Sequence, residues 1–241
     1  MNKTTQLKKL LLQRKALPCP GVYDALSARM VEYCGFQACQ ISGFGVSASS
    51  LGMTDASFTS LEEIVRITSN IVRAVDIPVM TDADTGYGNA VNVWWTTKRL
   101  EETGAAGMNL EDQCFPKRCG HMAGKQLISL GEMVGKIRAA VDAKRDPDFV
   151  INARTDAAYV CGIEEAIRRG NAYLEAGADM VFVESPASAE EVKRAIEQIK
   201  GPVSINMLEG GRTPMLTFEE LRQLGAARVS CPMFTSLIAA Y

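Results

Sequence analysis

Three carboxylates, one thiol among cations and one arginine mark where this chain could do chemistry. Asp82 and Asp84 stand two residues apart in Asp82-Ala83-Asp84-Thr85-Gly86-Tyr87-Gly88, and Glu111 closes the apolar run Gly107-Met108-Asn109-Leu110. Brought together, these groups would repel one another and raise their own pKa values. A hard divalent cation relieves that repulsion, and Mg²⁺ takes a few carboxylates together with waters and substrate oxygens. The competing reading is salt bridging to Arg154 or Lys117. The loop Lys117-Arg118-Cys119-Gly120-His121 holds a thiol next to two cations and the only histidine of the chain. A cysteine acts as acid, nucleophile or ligand only where its surroundings tune it, and Lys117, Arg118 and His121 are the groups that could do so. Its bland alternative is a basic surface loop with an incidental thiol. Arg154 can hold a carboxylate in a bidentate fork. Ser42, Gly43 and Phe44 offer a hydroxyl and backbone N–H groups to a second one.

These residues need elements to carry them. Short strands are predicted over Phe36–Ser42, Pro78–Thr81, Gly107–Leu110, Phe149–Ala153, Met180–Val183, Val203–Ile205 and Arg228–Cys231, after a first segment that ends in Gly21-Val22-Tyr23-Asp24. Helices alternate with them: Thr4–Arg14, Ala25–Tyr33, Leu61–Val75, Val91–Glu102, Gly131–Ala143, Ile163–Ala176, Ala189–Ile199 and Thr217–Leu224, with a last one starting at Phe234. In Leu61–Val75 the apolar residues Ile64, Ile67, Ile71 and Val75 recur at helical spacing. Ser42–Ser47 reads as a small-residue turn, and Asp55 lies in a polar loop. Eight strand–helix units with no hairpin signal give a parallel sheet covered by helices, and eight is the count of a closed (β/α)8 barrel. The first seven strands run into Tyr23, Ser42, Asp82 with Asp84, Glu111, Arg154, Glu184 and Asn206. In a barrel these ends share one face, where such enzymes keep their sites.

Composition bounds the rest. The 241 residues fit one domain spanning the whole chain, with 47% hydrophobic and 22% charged residues. A net charge of −2 without a basic block argues against nucleic acid as a partner. No apolar run is long enough to span a membrane. Seven cysteines, an odd number with no C-x-x-C pair, read as reduced thiols in the cytoplasm rather than a disulfide framework or zinc site. No G-x-G-x-x-G follows a strand, and Glu209-Gly210-Gly211-Arg212-Thr213-Pro214 is no phosphate loop. Gly88, Gly120 and Gly124 flank the reactive loops and would let a lid move.

Asp-Ala-Asp-Thr-Gly-Tyr-Gly at 82–88, Glu-Asp-Gln at 111–113, Lys-Arg-Cys-Gly-His at 117–121 and Ala-Arg-Thr-Asp at 153–156 resemble the isocitrate lyase/phosphoenolpyruvate mutase superfamily, from about Pro20 to Pro232. The resemblance implies Mg²⁺, with Mn²⁺ as a substitute, and a small dicarboxylate substrate. It implies Asp84 as the direct metal ligand, with Asp82 and Glu111 acting through water. Ser42, Gly43, Phe44, Gly120, Arg154 and Asn206 would bind substrate. Cys119 would be the proton donor, with Tyr23, Asp55, Glu184 and His121 completing the catalytic set.

The cysteine loop resembles the carbon–carbon lyases of that family, and Phe44 and the 209–214 run resemble the 2,3-dimethylmalate lyase, 2-alkylmalate lyase and oxaloacetate acetylhydrolase group. The expected activity is Mg²⁺-dependent cleavage of a 2-hydroxy dicarboxylate of 2,3-dimethylmalate or 2-alkylmalate type. Methylisocitrate cleavage, oxaloacetate hydrolysis and a catalytically inactive binding protein are the alternatives. Trp95 stands where many relatives have arginine. The family resemblance also implies a homo-oligomer, a tetramer in relatives, and C-terminal helices beyond Tyr241 that make this chain look truncated.

Overall fold

The computed structural model describes residues 2–120 and 122–236. Eight parallel strands close into a barrel in sequence order: β1 Leu17–Val22, β2 Cys39–Ile41, β3 Val79–Asp82, β4 Gly107–Glu111, β5 Val150–Thr155, β6 Met180–Val183, β7 Val203–Asn206 and β8 Arg228–Cys231. β8 pairs back onto β1 through Leu17↔Arg228 and Cys19↔Ser230, so no strand edge is left open. Ten helices are described: α1 Lys3–Leu12, α2 Ala25–Tyr33, α3 Gly43–Leu51, α4 Leu61–Ala74, α5 Ala90–Glu101, α6 Leu130–Ala143, α7 Ala157–Val160, α8 Ile163–Glu175, α9 Ala189–Gln198 and α10 Phe218–Leu224. None of them is long and apolar enough to cross a membrane.

Local chemistry starts the helices where the sequence says they should start. At α4 the Ser60 side chain accepts from Glu63 N–H and Glu63 returns a bond to Ser60 N–H at 2.8 Å, a reciprocal cap that also sets two acids at the positive helix end. Ile64, Ile67, Ile71 and Val72 then bury one face against the barrel. Each such side chain contributes about 1.5–3 kcal/mol of transfer free energy. α1 does a different job: Leu7 and Leu11 pack on Leu17, Ala38, Met80, Ala106, Val150, Met180 and Ala227, at or near the N-terminal ends of seven strands. Thr4 and Thr5 donate to Asp146 and Asp148 at 2.7 and 2.6 Å, which fastens this plug to the α6–β5 loop.

Along each strand the residues alternate between helix-facing and barrel-facing positions. Ile41, Thr81, Leu110, Ile205 and Val229 face outward. Gln40, Asn109, Asn152, Ser204, Arg228 and Ser230 face inward and are all buried. The barrel interior beneath the mouth is therefore polar, which the apolar reading of these strands did not anticipate. Two local expectations also change. Ser42–Ser47 is not a turn but the start of α3, because the Ser42 side chain caps it by accepting from Gly45 N–H at 3.1 Å. The helix expected from Phe234 lies mostly outside the described residues.

Candidate active site

The C-terminal strand ends enclose a small cavity of about 70 Å³, lined by Ser42, Gly43, Phe44, Asp55, Asp82, Asn109, Lys117, Cys119, Gly120, Arg154, Phe182, Glu184 and Asn206 among others. Ten of the fourteen proposed site residues thus meet on one face. Asp84 and Glu111 lie just below, buried at 8% and 2% exposure. Tyr23 is the exception. It is not among the cavity-lining residues, and its Cβ and Cδ1 stand beside Gly45 of α3. His121 lies outside the described residues. A larger groove of about 540 Å³ runs between β1, β8 and α10, but its lining is almost wholly apolar.

The β3–α5 turn and the loop after β4 build an acidic cluster around one lysine. Asp84 adopts a left-handed φ of 48°, held by its N–H donating to Asp82 Oδ1 at 3.0 Å and by its carbonyl accepting from Glu111 N–H at 2.9 Å. Lys117 Nζ is buried and sits 2.7 Å from both Asp55 Oδ2 and Asp84 Oδ1. Burial pushes the Asp84 carboxyl up to about 6, against the pull of Lys117 and with help from Asp82 and Asp55. Burial raises Glu111 as well, more than Arg154 and Lys117 lower it. Lys117 is held well above the usual lysine range: burial alone would lower it, but Asp84, Glu111 and Asp55 outweigh that.

The expected cluster of three carboxylates is not a closed cage. Among the described residues no three acids, thiols or imidazoles are gathered to hold a metal ion. Asp84 leans onto Lys117, Glu111 onto Arg154 at 3.4 Å, and Asp82 onto the Asp84 N–H. Salt bridging and metal binding are compatible here. Asp55, Asp82, Asp84 and Glu111 outnumber their lysine, and Glu111 Oε1 is buried with no hydrogen-bond partner. An electron-rich oxygen without a donor, beside an excess of negative charge, fits a hard divalent cation.

Opposite this cluster, Arg154 is wrapped by carboxylates. Its Nε and Nη2 donate to Asp156 at 2.9 and 3.2 Å, and its guanidinium also reaches Glu184 Oε2 at 3.3 Å. Asp156 in turn holds buried Lys125 at 2.7 Å. Burial would raise Asp156, but Arg154 and Lys125 together hold it below the usual carboxylate range. Lys125 Nζ also donates to the Gly120 carbonyl at 2.5 Å, and Ser185 Oγ donates to the same carbonyl at 3.1 Å. A Cβ on Gly120 would stand 2.5 Å from Arg154 Nη2 and 2.9 Å from the Glu184 side chain, so only glycine lets the loop lie on this pair. Cys119 is thereby held at the cavity wall. Of the cations beside it in sequence, Lys117 turns into the acid cluster and Arg118 donates to Ala123 O at 3.3 Å.

Two residues behind the site went unrecognised in the sequence. Lys125 and Asp156 pin the cysteine loop to β5. Asp112, which stands in the Glu-Asp-Gln run at 111–113, accepts from Thr155 Oγ1, Tyr173 Oη, Arg169 Nη1 and Asp156 N–H at 2.7–3.1 Å and braces the β5 end from outside the mouth. The signal was available, since a buried acid needs donors and Arg169 and Tyr173 stand at helical spacing on α8.

A closed parallel barrel whose mouth gathers acids around a lysine and sets a thiol and an arginine on one cavity has the arrangement of an enzyme. The family model described as phosphoenolpyruvate phosphomutase matches residues 7–241, and the chain belongs to the phosphoenolpyruvate mutase/isocitrate lyase superfamily. It is 49% identical over 225 residues to the 2,3-dimethylmalate lyase of Eubacterium barkeri, covering 93% of this chain and 78% of that one. A solved oxaloacetate acetylhydrolase with 3,3-difluorooxalacetate superposes at a TM-score of 0.95 and 36% identity, over 99% of this chain and 82% of the other. A phosphonopyruvate hydrolase solved with oxalate and Mg²⁺ matches at 0.87 and 31% identity, over 100% and 84%.

Proposed function

We propose that this chain is a Mg²⁺-dependent carbon–carbon lyase acting on a small 2-hydroxy dicarboxylate of the 2,3-dimethylmalate or 2-alkylmalate type. The observation that carries the reading is the meeting of Cys119, Arg154 and the Asp84–Lys117 cluster around one cavity of about 70 Å³. A small cavity with convergent polar groups suits a compact dianion. The 2,3-dimethylmalate lyase likeness points the same way, and the Mg²⁺ and oxalate bound to the phosphonopyruvate hydrolase show that relatives take such partners.

Asp84 would hold the ion directly, with Asp82 and Glu111 in its outer shell; when bound, the ion would acidify the substrate 2-hydroxyl. The chain does the rest. Ser42, the N–H groups at Gly43 and Phe44, Arg154 and Asn206 hold the two carboxylates. Asp55, Glu184 or Tyr23 takes the hydroxyl proton. The C2–C3 bond then breaks, its electron pair passing to C3 while C2 becomes the carbonyl of a 2-oxo acid. Arg154 stabilises the charge that develops on the C3 fragment. Cys119 Sγ–H gives its proton to C3, releasing a simple carboxylate.

Hydrolysis of oxaloacetate to oxalate and acetate is the second reading, favoured by the 0.95 superposition. The seven free cysteines fit a reducing cytoplasm. Exposed Leu26, Met30 and Tyr33 on one face of α2 fit association into a homo-oligomer. A panel of 2,3-dimethylmalate, 2-alkylmalates, methylisocitrate and oxaloacetate, with Mg²⁺ or with EDTA, tests the proposal. Release of a 2-oxo acid from a malate, lost in EDTA, supports it; turnover of oxaloacetate alone, or turnover indifferent to EDTA, removes it.

A further inference from the structure

Arg228 is the largest fully buried side chain described, and no step above uses it. It projects from β8 into the barrel, where Nε donates to Ser204 Oγ at 2.9 Å and Nη2 to Asn109 Oδ1 at 3.3 Å. Nη1 lies 2.8 Å from Met80 Sδ, and the guanidinium stands 5.5 Å from the Phe182 ring. Among the described residues no carboxylate pairs with it, and burial pulls its proton affinity down from the usual arginine value. An unpaired ion in a barrel core is unfavourable, and an apolar side chain of the same volume would serve packing better. The charge therefore answers to something other than stability. The open space nearest to it is the mouth, one side chain above, since Asn109, Phe182 and its strand neighbour Ser230 all line that cavity.

The hydrogen bonds say how the influence reaches the mouth. Arginine can only donate. Asn109 must therefore turn its carbonyl oxygen toward Arg228, and that oxygen also takes a 2.7 Å bond from Asn152 Nδ2. This fixes the amide by chemistry and leaves the Asn109 NH₂ as the end presented to the cavity.

We propose that Arg228 is a positioning residue for anion recognition, whose uncompensated charge and hold on Asn109 make the cavity floor select dianions. The inference rests on the reading of the mouth as a dicarboxylate site. A unit charge at roughly 10 Å in an effective dielectric of about 20 changes affinity a little over tenfold per ligand charge.

The test is calorimetric binding of oxalate, a dianion, and pyruvate, a monoanion, to the Mg²⁺-loaded protein. In R228M the expected loss is about 100-fold for oxalate and about tenfold for pyruvate, with a melting temperature equal to or above wild type. R228K should keep most of the oxalate preference. Should R228M fail to fold, R228Q gives the same comparison with the hydrogen bonds partly retained. Equal losses for the two ligands, or none, overturn the role of Arg228 while leaving the reading of the mouth intact. Collapse of both neutral variants makes the charge structural and also overturns it. A wild-type protein that binds neither ligand overturns both.

Discussion

Lys117→Met tests how the acidic cluster is kept together. Lys117 is 3% exposed and lies 2.7 Å from Asp55 and from Asp84, so a methionine of similar volume keeps the packing but removes the only ammonium among four acids. Breaking a buried pair costs about 3–5 kcal/mol because the partner charges stay buried. In a domain of this size that lowers the melting temperature by roughly 6–20 °C. The sign with pH follows from Asp84, whose folded value is already raised to about 6 by burial. A carboxyl raised on folding keeps its proton where the unfolded chain has lost it, so stability falls as pH rises through about 4 to 6 and stays low above. Removing Lys117 raises that value further. The gap between variant and wild type should therefore be small near pH 5 and fullest near pH 8. Mg²⁺ supplies the missing positive charge, and at 100 times its Kd it should return about 2.7 kcal/mol. Differential scanning fluorimetry at both pH values, with Mg²⁺ and with EDTA, reads all of this. A variant that melts with wild type at pH 8 in EDTA, or that ignores Mg²⁺, refutes the reasoning.

Three further outcomes are expected. Asp84→Ala should remain folded yet show no calorimetric heat of Mg²⁺ binding and no turnover; retained binding would move the metal elsewhere. Asp112→Asn should lower stability by about 2–4 kcal/mol, since an amide cannot accept from all four donors, while activity per folded molecule stays near wild type. Phe44→Gly should shift the kcat/KM ratio toward methylisocitrate over 2,3-dimethylmalate by about 1–3 kcal/mol, and an unchanged ratio would place the size limit on another wall.

The barrel was legible because its signal is repetitive. Met180–Val183 and Arg228–Cys231 fall at the residues expected, and the other strands shift by one to three positions at their ends. The mouth was legible because Ser42, Asp82, Glu111, Arg154, Glu184 and Asn206 each end a strand, and a parallel barrel must gather such ends. What the sequence hid depends on where long side chains travel. Lys117 adjoins the cysteine in sequence but reaches down to Asp55, 62 positions earlier. Lys125 reaches across to Asp156, 31 positions later. α3 starts in a Ser-Gly-Phe-Gly run that does not announce a helix, because its glycines argue for a turn. The inward alternation of Asn109, Asn152, Ser204 and Arg228 was visible in the strands, but a short apolar run that contains one polar residue is more readily read by its majority.

The most direct measurement of the central claim is the fate of 2,3-dimethylmalate in D₂O with Mg²⁺, followed by NMR for wild type and Cys119→Ser. Wild type should give pyruvate and propanoate in equal amounts, the propanoate carrying one deuterium at C2, delivered by the exchanged thiol. Serine is a far weaker acid of nearly the same shape, so the variant should bind Mg²⁺ and oxalate normally while turnover falls about 10²–10⁴-fold. Cys114, five residues earlier, is the control; Cys114→Ser should leave the rate near wild type. Cleavage by Cys119→Ser at the wild-type rate, or no carbon–carbon cleavage by wild type at all, would contradict the account.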